Sequence, residues 1–519
     1  MWICLPFFLE WLIIIPLSVN ALPEPKGFLI NCGSTTEVVE ENGLKYVPDH
    51  DYVSVGNITT IKEPGVSPRL TSLRYFPDTV VRKFCYTFPA NKGEKFLVRA
   101  TYYYGGFDGG KEPPVFDQII DGTLWGIVNT TEDYANRLSS YYEIVVMAQS
   151  RSISVCLARN GHTVSSPFIS ALEVLVLDNS LYNATDFNKY ALSTIARTSF
   201  GYGPDMISYP DDPFNRYWQP FLDKNVVENS HSNVTPSTFW NSPPAKAFQS
   251  ALTSSRGNNL TVRWTEYDLP SSHYYVALYF QDTRTVDPDH WRIFNVSLNN
   301  ETFYNDLNVS TRGVTVYGTE RPLHGKIEIS MTPRSDMFVG PVINAGEILR
   351  FLPINRRTLA RDAMVMEELV KSLKNLPRDW IGDPCLPKAQ SWTGVTCTGG
   401  DQVQIVTFCT SMLSKISLGV SGSLPNDIAK LSAVSSMWFP DNQISGPIPE
   451  MTTMNSLESL HLENNQLEGS IPQSLGQLPK LTELFLQNNQ LTGGIPSSLT
   501  KRNNLNMQVS GNRLSPEAM

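Results

Sequence analysis

The sequence predicts a mainly β protein: tandem β-sandwiches followed by a short leucine-rich-repeat α/β solenoid. Three observations carry that expectation. Four copies of one motif close the chain: Ser421-Gly-Ser-Leu-Pro425, Ser445-Gly-Pro-Ile-Pro449, Glu468-Gly-Ser-Ile-Pro472 and Thr492-Gly-Gly-Ile-Pro496. Their period of about 24 residues is that of a repeat whose coils stack into a solenoid. Before them, residues 27 to 352 hold short runs rich in Val, Ile, Tyr, Phe and Thr, separated by Gly, Pro, Asn and Asp turns, which is strand punctuation. The third observation is length: 519 residues exceed what one hydrophobic core organises.

The elements follow in chain order. Residues 1–21 read as a cleaved secretory peptide, apolar from Trp2 to Val19 and ending in the small-residue site Val19-Asn-Ala21. The apolar run is too short to span a bilayer. Residues 22–190 and 191–352 are each expected to form one sandwich. Typical strands are Lys95–Tyr103, Ile153–Leu157, Tyr274–Phe280 and Lys326–Ser330. A weak internal echo supports duplication. Phe168-Ile-Ser-Ala-Leu-Glu173 is matched by Val342-Ile-Asn-Ala-Gly-Glu347, each placed to close one sandwich.

Residues 353–379 predict a helical linker, with Leu359, Ala363, Met366, Val370 and Leu373 at helical spacing. Residues 380–410 predict a cap for the solenoid's open end, because Trp380-Ile-Gly-Asp-Pro-Cys385 and Ser391-Trp-Thr-Gly-Val-Thr-Cys397 make a compact stapled unit. Residues 411–519 are the repeats, about four coils aligned on Asn442, Asn465, Asn489 and Asn512. The leucines before each asparagine point inward, and the asparagine amide satisfies turn backbone.

Composition excludes several functions. A net charge of −9 and no dense Lys/Arg run argue against nucleic acid. Seven dispersed histidines lack metal-ligand spacing, so no metal or other cofactor is expected. No nucleophile motif or phosphate loop is present. Asp211-Asp212 and Asp287-Pro-Asp289-His290 are the densest acidic groups and read as turn chemistry. The chain is therefore expected not to be an enzyme; a carbohydrate-active enzyme is the remote alternative. After Asn512 the sequence holds no second hydrophobic span, lipid-anchor tail or kinase segment, so the expectation is a secreted, soluble mature chain.

Cys4 lies in the leader, leaving Cys32, Cys85, Cys156, Cys385, Cys397 and Cys409. An even count fits disulfides in an oxidising compartment. Cys385–Cys397 is the expected pair; the other four allow three pairings if all are bridged. Eight Asn-x-Ser/Thr sequons stand at Asn57, Asn129, Asn183, Asn233, Asn259, Asn295, Asn300 and Asn308. All precede the repeats, so their glycans would leave the solenoid bare.

Several motifs together carry a family resemblance. They are Tyr103-Tyr-Gly-Gly-Phe-Asp-Gly109, Pro113-Pro-Val-Phe-Asp117 and Ser166-Pro-Phe-Ile-Ser-Ala-Leu-Glu173 in the first sandwich. In the second they are Tyr209-Pro-Asp-Asp-Pro-Phe-Asn-Arg216 with Trp218, and Tyr275–Phe280. The junction from Trp380 to Cys397 is the most specific. On these the chain resembles the plant malectin-like leucine-rich-repeat receptor proteins over nearly its whole mature length. The resemblance implies tandem malectin-like sandwiches and an extracellular plant protein of the apoplast or cell wall. It would sense or scaffold at the cell surface, either free or associated with the plasma membrane through a partner.

Two binding surfaces are candidates. Tyr102, Tyr104, Phe107 and Asp108 could stack and hydrogen-bond a sugar; the resemblance to malectin implies a wall oligosaccharide as ligand. In a strand Tyr102 and Tyr104 share one face, and the competing reading is core tyrosine. On the repeats, Trp438, His461, Phe485 and Gln508 form a column four residues before each aligned asparagine, flanked by Ser436, Ser459, Glu483 and Asn506. Such a stripe suits a protein hot spot, and its expected partner is a peptide or a receptor-kinase ectodomain; packing between coils is the alternative.

Overall fold

A computed structural model describes residues 24–201, 203–221, 225–229, 239–265, 267–282, 284, 292–337, 339–354, 358–399, 402–407 and 419–515. The expected leader, Cys4, Asn233, Asp287, Asp289, His290 and Cys409 lie outside the described residues. Among the described residues no helix is long and apolar enough to cross a membrane.

One eleven-stranded sheet runs through both sandwiches. Its order is Val38–Val39, Lys45–Pro48, Gly27–Asn31, Ala171–Leu177, Lys95–Tyr102, Ser140–Met147, Tyr190–Phe200, Ala345–Pro353, Leu269–Phe280 and Val314–Gly325. Gln219–Phe221 adds to the side of Tyr190–Phe200. The two halves join where Ser140–Met147 pairs antiparallel with Tyr190–Phe200, through Ile144 opposite Ser193 and Val145 opposite Leu192. The division expected at residue 190 is therefore a crossing within one sheet.

The shared sheet is covered on both faces, as the strand Lys95–Tyr102 shows: all eight residues are buried. Side chains alternate across a strand. Phe96, Val98, Ala100 and Tyr102 enter the first sandwich core. Leu97 faces the opposite way, into a layer with Val145, Leu175, Leu192, Trp218 and Phe248. The first sandwich is closed by a four-stranded sheet, Phe84–Pro89, Ser152–Ala158, Val115–Ile120 and Thr123–Asn129. The second is closed by Leu260–Arg263, Glu328–Pro333, Arg292–Leu298 and Glu301–Val309.

The sequence echo has a structural counterpart. Phe168–Ile169 and Val342–Ile343 are short strands in side sheets, and Ala171–Leu177 and Ala345–Pro353 follow them into the shared sheet. Glu173 and Glu347 end the two echoes, and both are fully buried. They belong to a chain of ions that crosses the joint. Arg99 donates to Glu173 at 2.6 Å and to Glu143 at 2.7 Å. Arg197 donates to Glu143 at 2.5 Å and to Glu347 at 2.7 Å. The Asp-Asp turn is structural: Asp212 accepts from the Arg216 guanidinium at 2.9 Å and the Trp218 indole at 2.8 Å.

The helix Ala360–Ser372 buries Asp362, Val365, Met366 and Leu369. This differs from the expected face, for Leu359 and Val370 are exposed. The helix is rotated because Asp362 points inward, where its carboxylate accepts from the Val403 amide at 3.0 Å. Its apolar side joins the same core as Ile428 and Leu431. The segment expected as a linker thus belongs to the solenoid, and Leu373–Lys374 starts one of its two six-stranded sheets.

The cap expected around Cys385 joins solenoid to sandwich. Cys385–Cys397 is bonded, and Trp380 stacks on Trp392 with centroids 4.9 Å apart. Arg82 donates to Ser391 at 2.9 Å, and Gln390 to Asp117 at 3.2 Å. Lys83 donates to the carbonyls of Asp383 at 2.6 Å and Leu386 at 3.0 Å. Burial lowers the Lys83 ammonium to about 8 despite the acids Asp383 and Asp379 beside it. The second disulfide, Cys85–Cys156, links facing residues of neighbouring strands. Cys32 is a buried thiol among the described residues, and Cys409, the sixth cysteine expected after the leader, lies outside them.

Candidate functional site

The interior of the repeats is filled. Leu457, Leu460, Leu462, Leu481, Leu484 and Leu486 are all fully buried. The intervening residues of strands Ser436–Trp438, Ser459–His461, Glu483–Phe485 and Asn506–Gln508 therefore face outward. Register is set by asparagine. The Asn465 side-chain NH2 donates to the Phe439 carbonyl at 2.8 Å and the Leu462 carbonyl at 3.2 Å, while its oxygen accepts from the Ile444 amide at 3.0 Å. Asn489 repeats this pattern; Asn442 accepts from the Val420 amide at 3.0 Å but donates within its own turn, to the Pro440 carbonyl at 2.8 Å. The residue before each has a left-handed backbone, with φ of 57° at Asp441, 56° at Asn464 and 58° at Asn488. Short polar side chains tolerate that region.

On this face Trp438, His461 and Phe485 form the stripe. Ring centroids are 5.1 Å apart from Trp438 to His461 and 4.3 Å from His461 to Phe485. All three rings are half-buried, and Gln508, opposite Phe485, is exposed. The rings pack between coils and are also partly open to solvent. His461 sits between two acids, Nε2 being 3.3 Å from Glu483 and Nδ1 3.6 Å from Glu463. Ser459 donates to Glu483 at 2.8 Å; that bond, with His461, holds the Glu483 carboxyl below its ordinary range.

Glu463 was missed by the sequence reading. It lies two residues before the aligned asparagine, in a column of Pro440, Glu463, Gln487 and Ser510. Counting outward positions past the strand, into the turn, would have found it.

The sugar candidate is corrected by burial. Tyr102 is 1% and Tyr104 2% exposed. They share a face as expected, but that face is the core, where both contact Phe168. Tyr102 also packs on Phe116 and donates to Gln118 at 3.2 Å. Phe107 lies against Tyr104 and Tyr75. The Tyr104 hydroxyl is bonded to Asp108, itself exposed. Neither tyrosine has an open ring face for a sugar to stack on. Among the described residues no group of three or more His, Cys, Asp or Glu could hold a metal.

All sequon asparagines among the described residues are exposed: Asn57, Asn129, Asn183, Asn259, Asn295, Asn300 and Asn308. Asn259, Asn295, Asn300 and Asn308 gather on the four-stranded sheet of the second sandwich or its turns.

Fused sandwiches bearing a solenoid define an extracellular receptor-ectodomain architecture, and comparison with known proteins gives the family. Residues 30–351 match the malectin-like domain, and residues 455–500 match leucine-rich repeats in two copies. The chain belongs to the malectin-like domain family. Neither matched domain is a catalytic type. The chain is 29% identical over 478 residues to a probable LRR receptor-like serine/threonine-protein kinase of Arabidopsis thaliana, covering 87% of this chain and 49% of that protein. A receptor-like protein kinase of the same plant is 30% identical over 398 residues, covering 73% of this chain and 42% of its own length. The chain thus spans about half the length of these relatives. Among solved structures, the plant receptor-like kinase FER shares the fold at TM-score 0.53 and 18% identity, covering 63% of this chain and 96% of that one. The Arabidopsis ANX2 ectodomain does so at 0.52 and 16%, covering 63% and 97%. A complex of the peptide RALF23 with FER and LLG2 matches at 0.50 and 18%, covering 63% and 96%.

Proposed function

We propose that this chain is the ligand-engaging part of a plant receptor-like protein, facing the apoplast or cell wall, and that it binds a protein or peptide on the concave face of its repeats. The observation that carries this reading is the Trp438–His461–Phe485 stripe. Its rings stay half-buried although leucines already fill the interior. Large aromatic rings on an accessible face are the residues that dominate protein hot spots. The face also lies in the part of the chain without sequons. The peptide complex of a structural neighbour supports a peptide or a second receptor ectodomain as the kind of partner. Burial of Tyr102 and Tyr104 removes the motive for an oligosaccharide on the first sandwich.

The test is a binding screen of the purified chain against plant extracellular peptides and receptor ectodomains by biolayer interferometry. A partner bound by the native chain and lost by Trp438→Ala and Phe485→Ala is the expected result. Partners that bind both variants undiminished would refute the concave-face reading.

A further inference from the structure

Resting on that concave-face reading, we infer that the segment seated there is basic, with a lysine or arginine whose stem lies along the aromatic stripe. The charge on the face is one-sided. Across the strand-and-turn spans 435–441, 458–464, 482–488 and 505–511 stand Glu458, Glu463, Glu483 and Asp441, without one lysine or arginine. His461 is the single basic residue of those spans, set between Glu463 and Glu483. Nearby Arg502 is turned inward, donating to the carbonyls of Leu478 at 2.5 Å and Leu481 at 2.7 Å. Within these spans the fixed charge is acidic, which favours a basic partner over an acidic one.

Unmet hydrogen-bond capacity points the same way. Glu463 Oε2 and Gln487 Oε1 are shielded from solvent without a donor. They occupy the same position in adjacent coils, whose strands pair in register. Both atoms are shielded in the free chain, so one guanidinium or ammonium would pair with them only once these two side chains turn outward on contact. The rings of Trp438 and Phe485 suit its apolar stem, and their faces suit its charge.

The experiment is selection of a random phage-displayed peptide library on the whole purified chain. Counter-screens use Glu463→Gln/Glu483→Gln, Trp438→Ala/Phe485→Ala and, as a control on the other sheet, Glu468→Gln. Enriched peptides should carry Lys or Arg beside an apolar residue and weaken with added salt. They should lose roughly 10-fold or more in affinity on the Glu463→Gln/Glu483→Gln variant and none on Glu468→Gln. Neutral or acidic winners, or winners indifferent to the two glutamates but lost with the aromatic pair, would overturn the basic-segment inference and leave the concave face standing. Winners indifferent to the aromatic pair, or no enrichment at all, would overturn both.

Discussion

Replacing Glu143 with Gln should destabilise the fused sandwiches out of proportion to one charge. Glu143 is the only carboxylate bonded to both Arg99 and Arg197 among the described residues, and all three side chains are buried. Burial alone would raise the Glu143 carboxyl, but Arg197 and Arg99 overcome it and hold it at about 2. Glu143→Gln keeps the shape and leaves the two guanidiniums short of a counter-charge. Breaking a buried pair on one side costs about 3–5 kcal/mol, a large share of the roughly 5–15 kcal/mol that holds a native domain together. The assay is urea unfolding followed by tryptophan fluorescence, since Trp218 lies 5.7 Å from the Arg197 guanidinium. The pH dependence gives an independent check. A carboxyl at about 2 when folded and near 4.5 when unfolded supplies stability above 4.5 that is lost as pH falls towards 2. That contribution is on the order of 3 kcal/mol. The gap between native chain and variant should be full near neutral pH and shrink across that window. A gap no larger than that of Arg263→Ala, which breaks the exposed Arg263–Glu328 pair, would refute the reasoning. So would a gap unchanged by acid.

Asn465→Ala should unfold the solenoid first, because it removes two donors and one acceptor that satisfy buried backbone. The expected loss is about 3 kcal/mol, read as earlier protection loss in hydrogen exchange across residues 436–470. A secreted preparation should carry glycans on the second sandwich's four-stranded sheet. Mass spectrometry of peptides holding Asn295 and Asn308 before and after deglycosylation reads this, and unmodified peptides would show that sheet to be bare.

Local pattern was enough for the repeats. The Leu-x-x-Leu-x-Leu spacing and the asparagine ladder are relations within one coil and its neighbour. Counting alone therefore put Trp438, His461 and Phe485 side by side on successive strands, where their register pairs them. The Cys385–Cys397 staple is equally local, closing over twelve positions. The alternating strands of both sandwiches were legible for the same reason, since a period of two is written into consecutive residues. Burial of the tyrosines was not. Periodicity says that Tyr102 and Tyr104 share a face, but only packing against Phe168 and Phe116 says that the face is inside. The same holds for the helix Ala360–Ser372, which turned to let Asp362 meet Val403 across 41 positions of chain.

By itself, then, the sequence determined two β-sandwich units, a capped leucine-rich solenoid and an aromatic stripe along its concave side, because each rests on contacts a few residues apart or on a repeat. Tertiary structure decided that the sandwiches share one sheet, that Cys85 meets Cys156, and that Lys83 and Arg82 clamp the cap to the first sandwich. It also decided that Glu463 and Gln487 hold unmet acceptors beside the stripe. Each of these depends on which distant surfaces exclude water together, and no window of the chain contains that information.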